Sequence, residues 1–572
     1  MRKSVLALAA IAVAMAAVGG FAVRDAEGTK LATVNVQLLG FNDYHGNLEP
    51  PSGSSGRIGS VDAGGVEYLA THIANLKATN PNTVVVAAGD LIGATPLISA
   101  LFRDQPSIES LNVAGLQVSA VGNHEFDRGK ADLLRQQNGG CPPNGCPEGG
   151  TFAGAQFEYL SANVFALPTA AEKAAAKKRK KTARAKPLLK PYTIKEVGGV
   201  KVGFIGMTLE GTPSIVTPTG VAGLRFYREA YMANYWSQNL RKQGVKTIVV
   251  LIHEGGAQTG SFNGCTGISG PIVQIAEQMN ADIDVVVSGH THNAYNCTIG
   301  NKLVTSASSF GRLLTDIDLT IDTVTGDVVT KTATNRIVTR DVPKHAGETA
   351  LVDKYRRLSA PLANRVIGRI SSNISRTANA AGESALGDVI ADAQLAATRA
   401  PGKGGAVVAF QNPGGIRADL TFAQISGGEQ PGQITYAEAF TVQPFGNTLT
   451  VKTMTGAQIK ALLEQQFDNP SPGASRILQV SAGFSYSYRQ ANPAGSRVDA
   501  SSIRINGVTV NPTGEYRVTM NSFLADGGDN FSVFRQGTNQ LGGEVDLDAL
   551  AAYFAANPTV APGPQNRITR TG

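Results

Sequence analysis

Cysteine is scarce in this sequence, with four in 572 residues. No two have the Cys-x-x-Cys spacing of a thiolate metal site, so the cysteines are not read as metal ligands. No internal repeat points to a solenoid. The N-terminal apolar run, Val5 to Val18, is too short to cross a bilayer. It follows Arg2 and Lys3 and precedes small residues with cleavage positions after Gly19 or Ala22, so residues 1–22 read as a secretory signal peptide. No cysteine follows closely enough for a lipoprotein anchor, and Val560 to Gly572 lacks the hydrophobic tail of a glycolipid anchor. The expectation is a soluble exported protein, periplasmic or secreted, long enough for two or three domains.

A basic balance is also missing from most of the chain, despite a net charge of +7 and a pI near 9.1. Residues 171–190 hold nine Lys or Arg and one acid, a net +8 that exceeds the total, so the globular body is mildly acidic. The segment from Lys173 to Lys190 is Ala-rich, helical or loop, and is read as a solvated loop in preference to a patch for nucleic acid or another polyanion. Four cysteines suit an oxidising compartment. Cys141 and Cys146 bracket Pro-Pro-Asn-Gly, a turn that would bring them together and leave Cys265 to pair with Cys297. Sequence alone leaves three connectivities open.

What the chain does have is an ordered series of metal-ligand residues. Five of its seven histidines fall in Asp43-Tyr-His45, Gly89-Asp90, Gly122-Asn123-His124-Glu125, His253 and Gly289-His290-Thr-His292. Asp, Asn and His are the oxygen and nitrogen donors that hold paired divalent cations, and Asp90 is the candidate bridge between two ions. A lone Gly-Asp or His is more often a turn or a satisfied polar contact. Here every motif follows a short apolar run, such as Thr83 to Ala88 or Thr247 to Ile252, that reads as a buried strand. Ligands beyond the C-terminal ends of several strands converge in one crevice of an α/β sheet.

The order and spacing resemble the calcineurin-like metallophosphatases. Asn412-Pro-Gly-Gly-Ile-Arg417, Gln443-Pro-Phe445-Gly446 and Asn521-Ser-Phe523-Leu-Ala-Asp-Gly-Gly-Asp529 narrow the resemblance to the 5′-nucleotidase family. Alternating strand runs and helical stretches over residues 30–340 argue an α/β fold, which the resemblance makes a two-sheet sandwich flanked by helices; apolar positions at helical spacing over 349–367 read as a connecting helix, and a smaller α/β substrate-binding domain follows over 368–566. The resemblance assigns one metal to Asp43, His45, Asp90 and His292, and the other to Asp90, Asn123, His253 and His290. Zinc, manganese and cobalt all suit these donors. A hydroxide between the ions would attack phosphorus in line. His124 would be the catalytic histidine, oriented and kept protonated by Asp127; otherwise Asp127 is a helix-start carboxylate.

In the second domain the resemblance makes Arg417 a phosphate fork, Asn412 a contact to base or ribose, Phe445 and Phe523 a clamp on the nucleobase, and Asp529 an acceptor for ribose hydroxyls. Ordinary core packing is the alternative for each ring. One departure stands out: Ala380 occupies the place of a second phosphate-binding arginine, with Arg376 nearby. The expected function is therefore release of phosphate from nucleoside 5′-monophosphates. The alternatives are a 2′,3′-cyclic nucleotide phosphodiesterase, a nucleotide-sugar hydrolase, a general phosphoesterase or sulfur-oxidising hydrolase on the same scaffold, and a polyanion-binding surface protein without activity.

Overall fold

The computed structural model describes residues 32–51, 53–142, 145–146, 151–216, 220–469 and 473–572. The expected signal peptide over 1–22 lies outside them.

The apolar runs of the first domain form two six-stranded sheets. In one, Thr33–Phe41, Thr83–Ala87, Val118–Ala120 and Glu158–Leu160 run parallel, and Leu313–Asp322 and Val328–Ile337 add an antiparallel edge. In the other, Val200–Thr208, Thr247–His253, Val285–Ser288 and Lys302–Ala307 are parallel, with Tyr192–Val197 and Ala294–Ile299 antiparallel at the edges. Strand alternation explains why the central runs are apolar throughout. Val36, Leu38, Val84 and Val86 meet Val202, Phe204, Val249 and Leu251 between the sheets. The intervening Leu39, Phe41, Val85 and Ala87 pack outward with helix Val66–Thr79, and Ile248, Val250 and Ile252 pack outward with helices Glu229–Lys242 and Pro271–Gln278. Strands covered on both faces need side chains of this kind at every position.

Helix Ala346–Ala363 begins three residues before the expected 349 and ends four before 367. The His345 ring accepts from the Glu348 amide at 3.4 Å, while Val366–Arg369 leaves the helix to pair with Gln433–Thr435. That partner is distant in sequence and left no local trace. Val352 and Tyr355 of the helix lie in the core of the first domain.

The second domain is built on a five-stranded sheet in the order Gln479–Val480, Val408–Gln411, Glu515–Asn521, Thr448–Thr455, Thr538–Val545. Helices Ala385–Thr398 and Asp546–Ala556 share a core on one side, and helix Gly456–Glu464 belongs to the core on the other.

The basic segment is solvent-exposed as expected, with turn and loop over 179–185, but its first part takes the helical alternative. Ala170–Lys178 is a helix whose start carries a reciprocal cap: the Thr169 hydroxyl accepts from the Glu172 amide and the Glu172 carboxylate accepts from the Thr169 amide. Ala-rich composition and this cap favour helix even without a buried face.

Candidate active site

The parallel strands of both sheets end at the same edge of the sandwich. Asp43 follows Phe41, Asp90 follows Ala87, Asn123 follows Ala120, His290 follows Ser288, and His253 is the last residue of its own strand. Leaving a strand to aim a side chain back across its end requires a sharp reversal. Asp43, His45, Asp90, His290 and His292 accordingly have φ of 50°, 47°, 51°, 71° and 53°. Such left-handed backbone is uncommon outside glycine and costs on the order of 1 kcal/mol or more per residue. Close packing beneath the ligands demands true glycines as well: a Cβ on Gly122 would lie 2.1 Å from Asp90 Oδ1, and one on Gly89 2.6 Å from the Gly122 nitrogen.

The seven expected ligands come together. His292 Nε2 lies 3.2 Å from Asp43 Oδ1 and 3.2 Å from His45 Nε2, and His45 Nε2 lies 3.7 Å from Asp90 Oδ2. On the other side of Asp90, His253 Nε2 is 3.0 Å from Oδ2 and 3.1 Å from Asn123 Oδ1, and His290 completes a group with Asp90 and His253. Asp90 thus touches both groups. The outer ring nitrogens of two histidines are tied to backbone carbonyls, His45 Nδ1 to Gly93 at 2.7 Å and His253 Nδ1 to Ala88 at 2.8 Å. This leaves Nε2 pointing inward, the arrangement that orients a metal-binding imidazole.

A cation fits this donor set. Asp43 Oδ1 is buried without any hydrogen-bond donor and faces ring nitrogens. An orphaned buried carboxylate oxygen is costly unless a positive charge meets it. Burial holds His45 and His290 at about 3, so both rings are neutral and able to donate a lone pair. Burial would raise Asp43, yet His292 and then His253 bring it down to about 2. The same contest leaves His253 raised to about 10: burial opposes its charge, and Asp90 prevails.

Two further polar residues, to which the sequence reading gave no role, organise the ligand loops. The buried Glu125 carboxylate accepts from the amides of Gly122 at 2.6 Å, Leu91 at 2.8 Å and Asp90 at 3.1 Å, so one side chain fixes the turns that carry Asp90 and Asn123. Burial and then the nearby Asp90 raise it to about 7. Asn42 donates to Asp43 Oδ2 at 2.7 Å and accepts from the Ala307 amide at 2.7 Å, bridging the two sheets. Both adjoin or lie within the motifs; their backbone partners are what a sequence does not disclose.

His124 stands beside the ligand groups, its amide donating to Asp90 Oδ1 at 3.0 Å. Its Nδ1 pairs with Asp127 Oδ2 at 2.7 Å. Burial disfavours the imidazolium, but Asp127 and Asp90 outweigh it and raise the pKa above the usual histidine value. The His124 ring stacks on Phe445 of the second domain, with centroids 5.8 Å apart and an interplanar angle of 18°.

Phe445, Phe523, Asn412, Arg417 and Asp529 line one cavity of about 290 Å³ that His124 and Asp127 close on the first-domain side. Gly528 makes room for one of its rings, since a Cβ there would lie 2.5 Å from Phe523 ring carbons. Asn412 Nδ2 donates to Asp529 Oδ2 at 2.9 Å, and Asp529 Oδ1 pairs with Arg476, a cavity residue with no earlier signal in the sequence. A second cavity, of about 440 Å³, holds Asp90, His124 and His292 together with Arg417 and Arg376. Burial, then the neighbouring Arg376 charge, lowers the Arg417 pKa. Arg376 therefore lines this second cavity beside Arg417, and Ala380 does not.

Two family models match the chain, calcineurin-like phosphoesterase over residues 37–294 and 5′-nucleotidase C-terminal domain over 366–536. A cell wall protein of Listeria monocytogenes, Lmo0130, is 32% identical over 551 residues, covering 91% of this chain and 67% of its own length. The chain belongs to the 5′-nucleotidase family of metal-dependent phosphoester hydrolases. Endonuclease YhcR of Bacillus subtilis is 31% identical over 532 residues, but this family member spans only 39% of that protein's length. Among solved structures, a 5′-nucleotidase precursor from Thermus thermophilus superposes with a TM-score of 0.74 at 26% identity, over 94% of this chain and 100% of the other. The two-domain architecture of the family, metallophosphatase sandwich followed by C-terminal domain, is the one described above. Both cysteine pairs are disulfides, Cys141–Cys146 and Cys265–Cys297, and no described helix is long and apolar enough to cross a membrane.

Proposed function

We propose that this chain is an exported enzyme that releases phosphate from nucleoside 5′-monophosphates. The observation that carries the reading is the single cavity in which His124 and Asp127 of the first domain face Asn412, Arg417, Phe445, Phe523 and Asp529 of the second. Asp43, His45, Asp90 and His292 would hold one divalent ion, and Asp90, Asn123, His253 and His290 another, with zinc, manganese and cobalt as candidates. Bound there, such ions activate water and neutralise phosphoryl charge.

The chain's own groups supply the rest. Arg417 grips phosphate oxygens through its fork, and Arg376 adds positive charge beside it. His124 presents the proton that the departing ribose oxygen needs, while Asp127 fixes the ring and favours the protonated form. Phe445 and Phe523 offer aromatic faces for a base, and Asn412 and Asp529 offer polar groups to base or sugar. Export is supported by the two disulfides and by the relative named a cell wall protein.

A second reading keeps the centre and changes the ester. A relative named an endonuclease, and the room for a second ester group in the cavity of about 440 Å³ that Arg376 lines, favour diesters, including 2′,3′-cyclic nucleotides and nucleotide sugars. The test is turnover of AMP, UDP-glucose, 2′,3′-cyclic AMP and bis-p-nitrophenyl phosphate by metal-reconstituted protein, before and after chelation. AMP should be the best substrate, and chelation should abolish its hydrolysis until metal is restored. Undiminished turnover by protein shown by elemental analysis to be metal-free sinks the metal-dependent reading; a diester preference selects the second one.

A further inference from the structure

Helix Ala170–Lys178 contributes nothing to any core, since none of its residues is buried. It lies in the segment inserted between Val164–Ala166 and Lys186–Pro187, two strands of a three-stranded sheet completed by Leu224–Phe226. All nine cations of residues 171–190 are exposed. Two have acidic partners, Lys186 with Glu172 at 3.9 Å and Lys190 with Glu158 at 3.5 Å. Among the described residues, the seven cations from Lys173 to Arg184 have none within 4.0 Å.

Local structure does not account for so many like charges. Cations near the helix C-terminus complement its dipole, which explains Lys177 and Lys178 but not the run through Arg184. Lys173 and Lys177, one turn apart on the same face, repel each other. The cost is relieved when a polyanion covers the face.

The position of this face relative to the cavity identifies the polyanion. The Leu167 amide, at the base of the insertion, donates to the Gly223 carbonyl at 2.8 Å. Gly223 lies seven residues beyond Val216, which lines the cavity of about 290 Å³. From the other direction, Arg128 lines that cavity, Lys130 follows two residues later, and a Cβ on Gly223 would lie 4.0 Å from Lys130 Nζ. Lys130 also acts electrostatically on Glu172 of the basic helix. Arg128 itself is paired with Asp104, so it is Lys130, two residues beyond the cavity wall, that brings positive charge towards the basic segment. A membrane surface fits poorly, because the only apolar residues on the helix are alanines and nothing on it would enter the acyl boundary.

We propose that the segment from Lys173 to Arg184 is a docking face for the phosphate backbone of a polynucleotide, beside the cavity that takes a single nucleotide. The choice of polynucleotide rests on the proposed function; the unpartnered cations that would dock a polyanion do not.

The experiment measures binding of a fluorescent, hydrolysis-resistant oligothymidylate to the intact metal-loaded chain, by anisotropy between 50 and 200 mM salt. The variant carries Lys177→Gln, Lys178→Gln, Arg179→Gln, Lys180→Gln and Lys181→Gln, all exposed positions outside the catalytic cavity. Single-strand binding loses about 0.7 in the slope of log K against log salt for each phosphate contact removed. The variant should therefore bind at least about 10-fold more weakly at 100 mM salt, with the slope reduced by about 2 to 3.5. Its kcat/KM on AMP should stay within about twofold of the parent. Unchanged affinity and slope overturn the proposal. So does oligonucleotide binding that excess AMP abolishes and the five substitutions do not, because the cavity is then the binding site. Loss of heparin or anionic-vesicle binding with oligonucleotide binding intact would assign the face to another polyanion and equally overturn it. No turnover of AMP by the parent, with oligonucleotide binding as expected, would count against the proposed function alone.

Discussion

The two walls of the active-site cleft are built on opposite principles. On the first-domain side, five of the seven candidate ligands sit on left-handed backbone, Glu125 and Asn42 lock the loops from behind, and at Asp43 a carboxylate oxygen is left without a donor. On the second-domain side, the half-buried rings Phe445 and Phe523 stand beside the hydrogen-bonded Asn412–Asp529–Arg476 chain, and of these five only Asp529, with φ of 54°, has left-handed backbone. The contrast teaches a division of labour. The conformational cost is concentrated where the candidate metal ligands lie, five left-handed residues against Asp529 alone on the facing wall.

The largest effect should come from Asp90→Asn, which weakens both ligand groups together. Its loss of turnover on AMP should exceed the roughly 10²–10⁴-fold usual for a positioned acid–base group, with metal content by elemental analysis falling in parallel. Retention of metal and rate would remove Asp90 as the link between the groups.

Next, His124→Ala should cost roughly 10²–10⁴-fold in kcat with metal content nearly intact. Metal loss would move His124 into the ligand set and blur the boundary between ligand and proton donor.

The second wall should yield smaller and selective losses. Phe445→Ala and Phe523→Ala should each cost about 1–3 kcal/mol of stacking, which is roughly 5- to 150-fold in kcat/KM on AMP. Turnover of p-nitrophenyl phosphate should change far less. Equal losses on both substrates would break the comparison, most pointedly for Phe445, whose ring stacks on His124.

The smallest effect tests whether the connecting helix belongs to the rigid side. Glu348 is fully buried, and neither carboxylate oxygen has a hydrogen-bond partner. Burial, then Glu67, raises it to about 9 from an ordinary 4.5. A folded pKa above the unfolded one means stability that is fully present below about 4.5 and is lost as pH rises towards 9. Glu348→Gln should therefore melt higher than the parent at pH 8, and the advantage should vanish near pH 4.5. An advantage independent of pH would mean that Glu348 is not protonated in the fold.

The ligand wall was legible because strand ends impose a local pattern: an apolar run, a glycine, then Asp, Asn or His. Each element of that pattern lies within a few residues, as in Val84 to Asp90. The selecting wall was visible only through motif resemblance, because nothing local distinguishes Phe523 over Gly528 from a packed core ring. Arg476 left no signal at all, since its role is set by Asp529, more than fifty residues away. The connecting helix was found with shifted ends because pairing of Val366–Arg369 with Gln433–Thr435 is decided across the chain. The basic segment showed its charge but not its cap, a three-residue Thr–Glu signal outweighed by the density of lysine.

The left-handed ligand positions have an evolutionary consequence. Besides glycine, the residues best suited to that backbone are Asn, Asp and His, which are also donors for divalent cations. Random substitution at Asp43, His45, Asp90, His290 or His292 is therefore filtered first by conformation, and the survivors of that filter still offer oxygen or nitrogen to an ion. Drift at these sites would tend to exchange one metal preference for another before it erased metal binding, so that the shape of the main chain, more than the identity of any one side chain, is the heritable part of the centre.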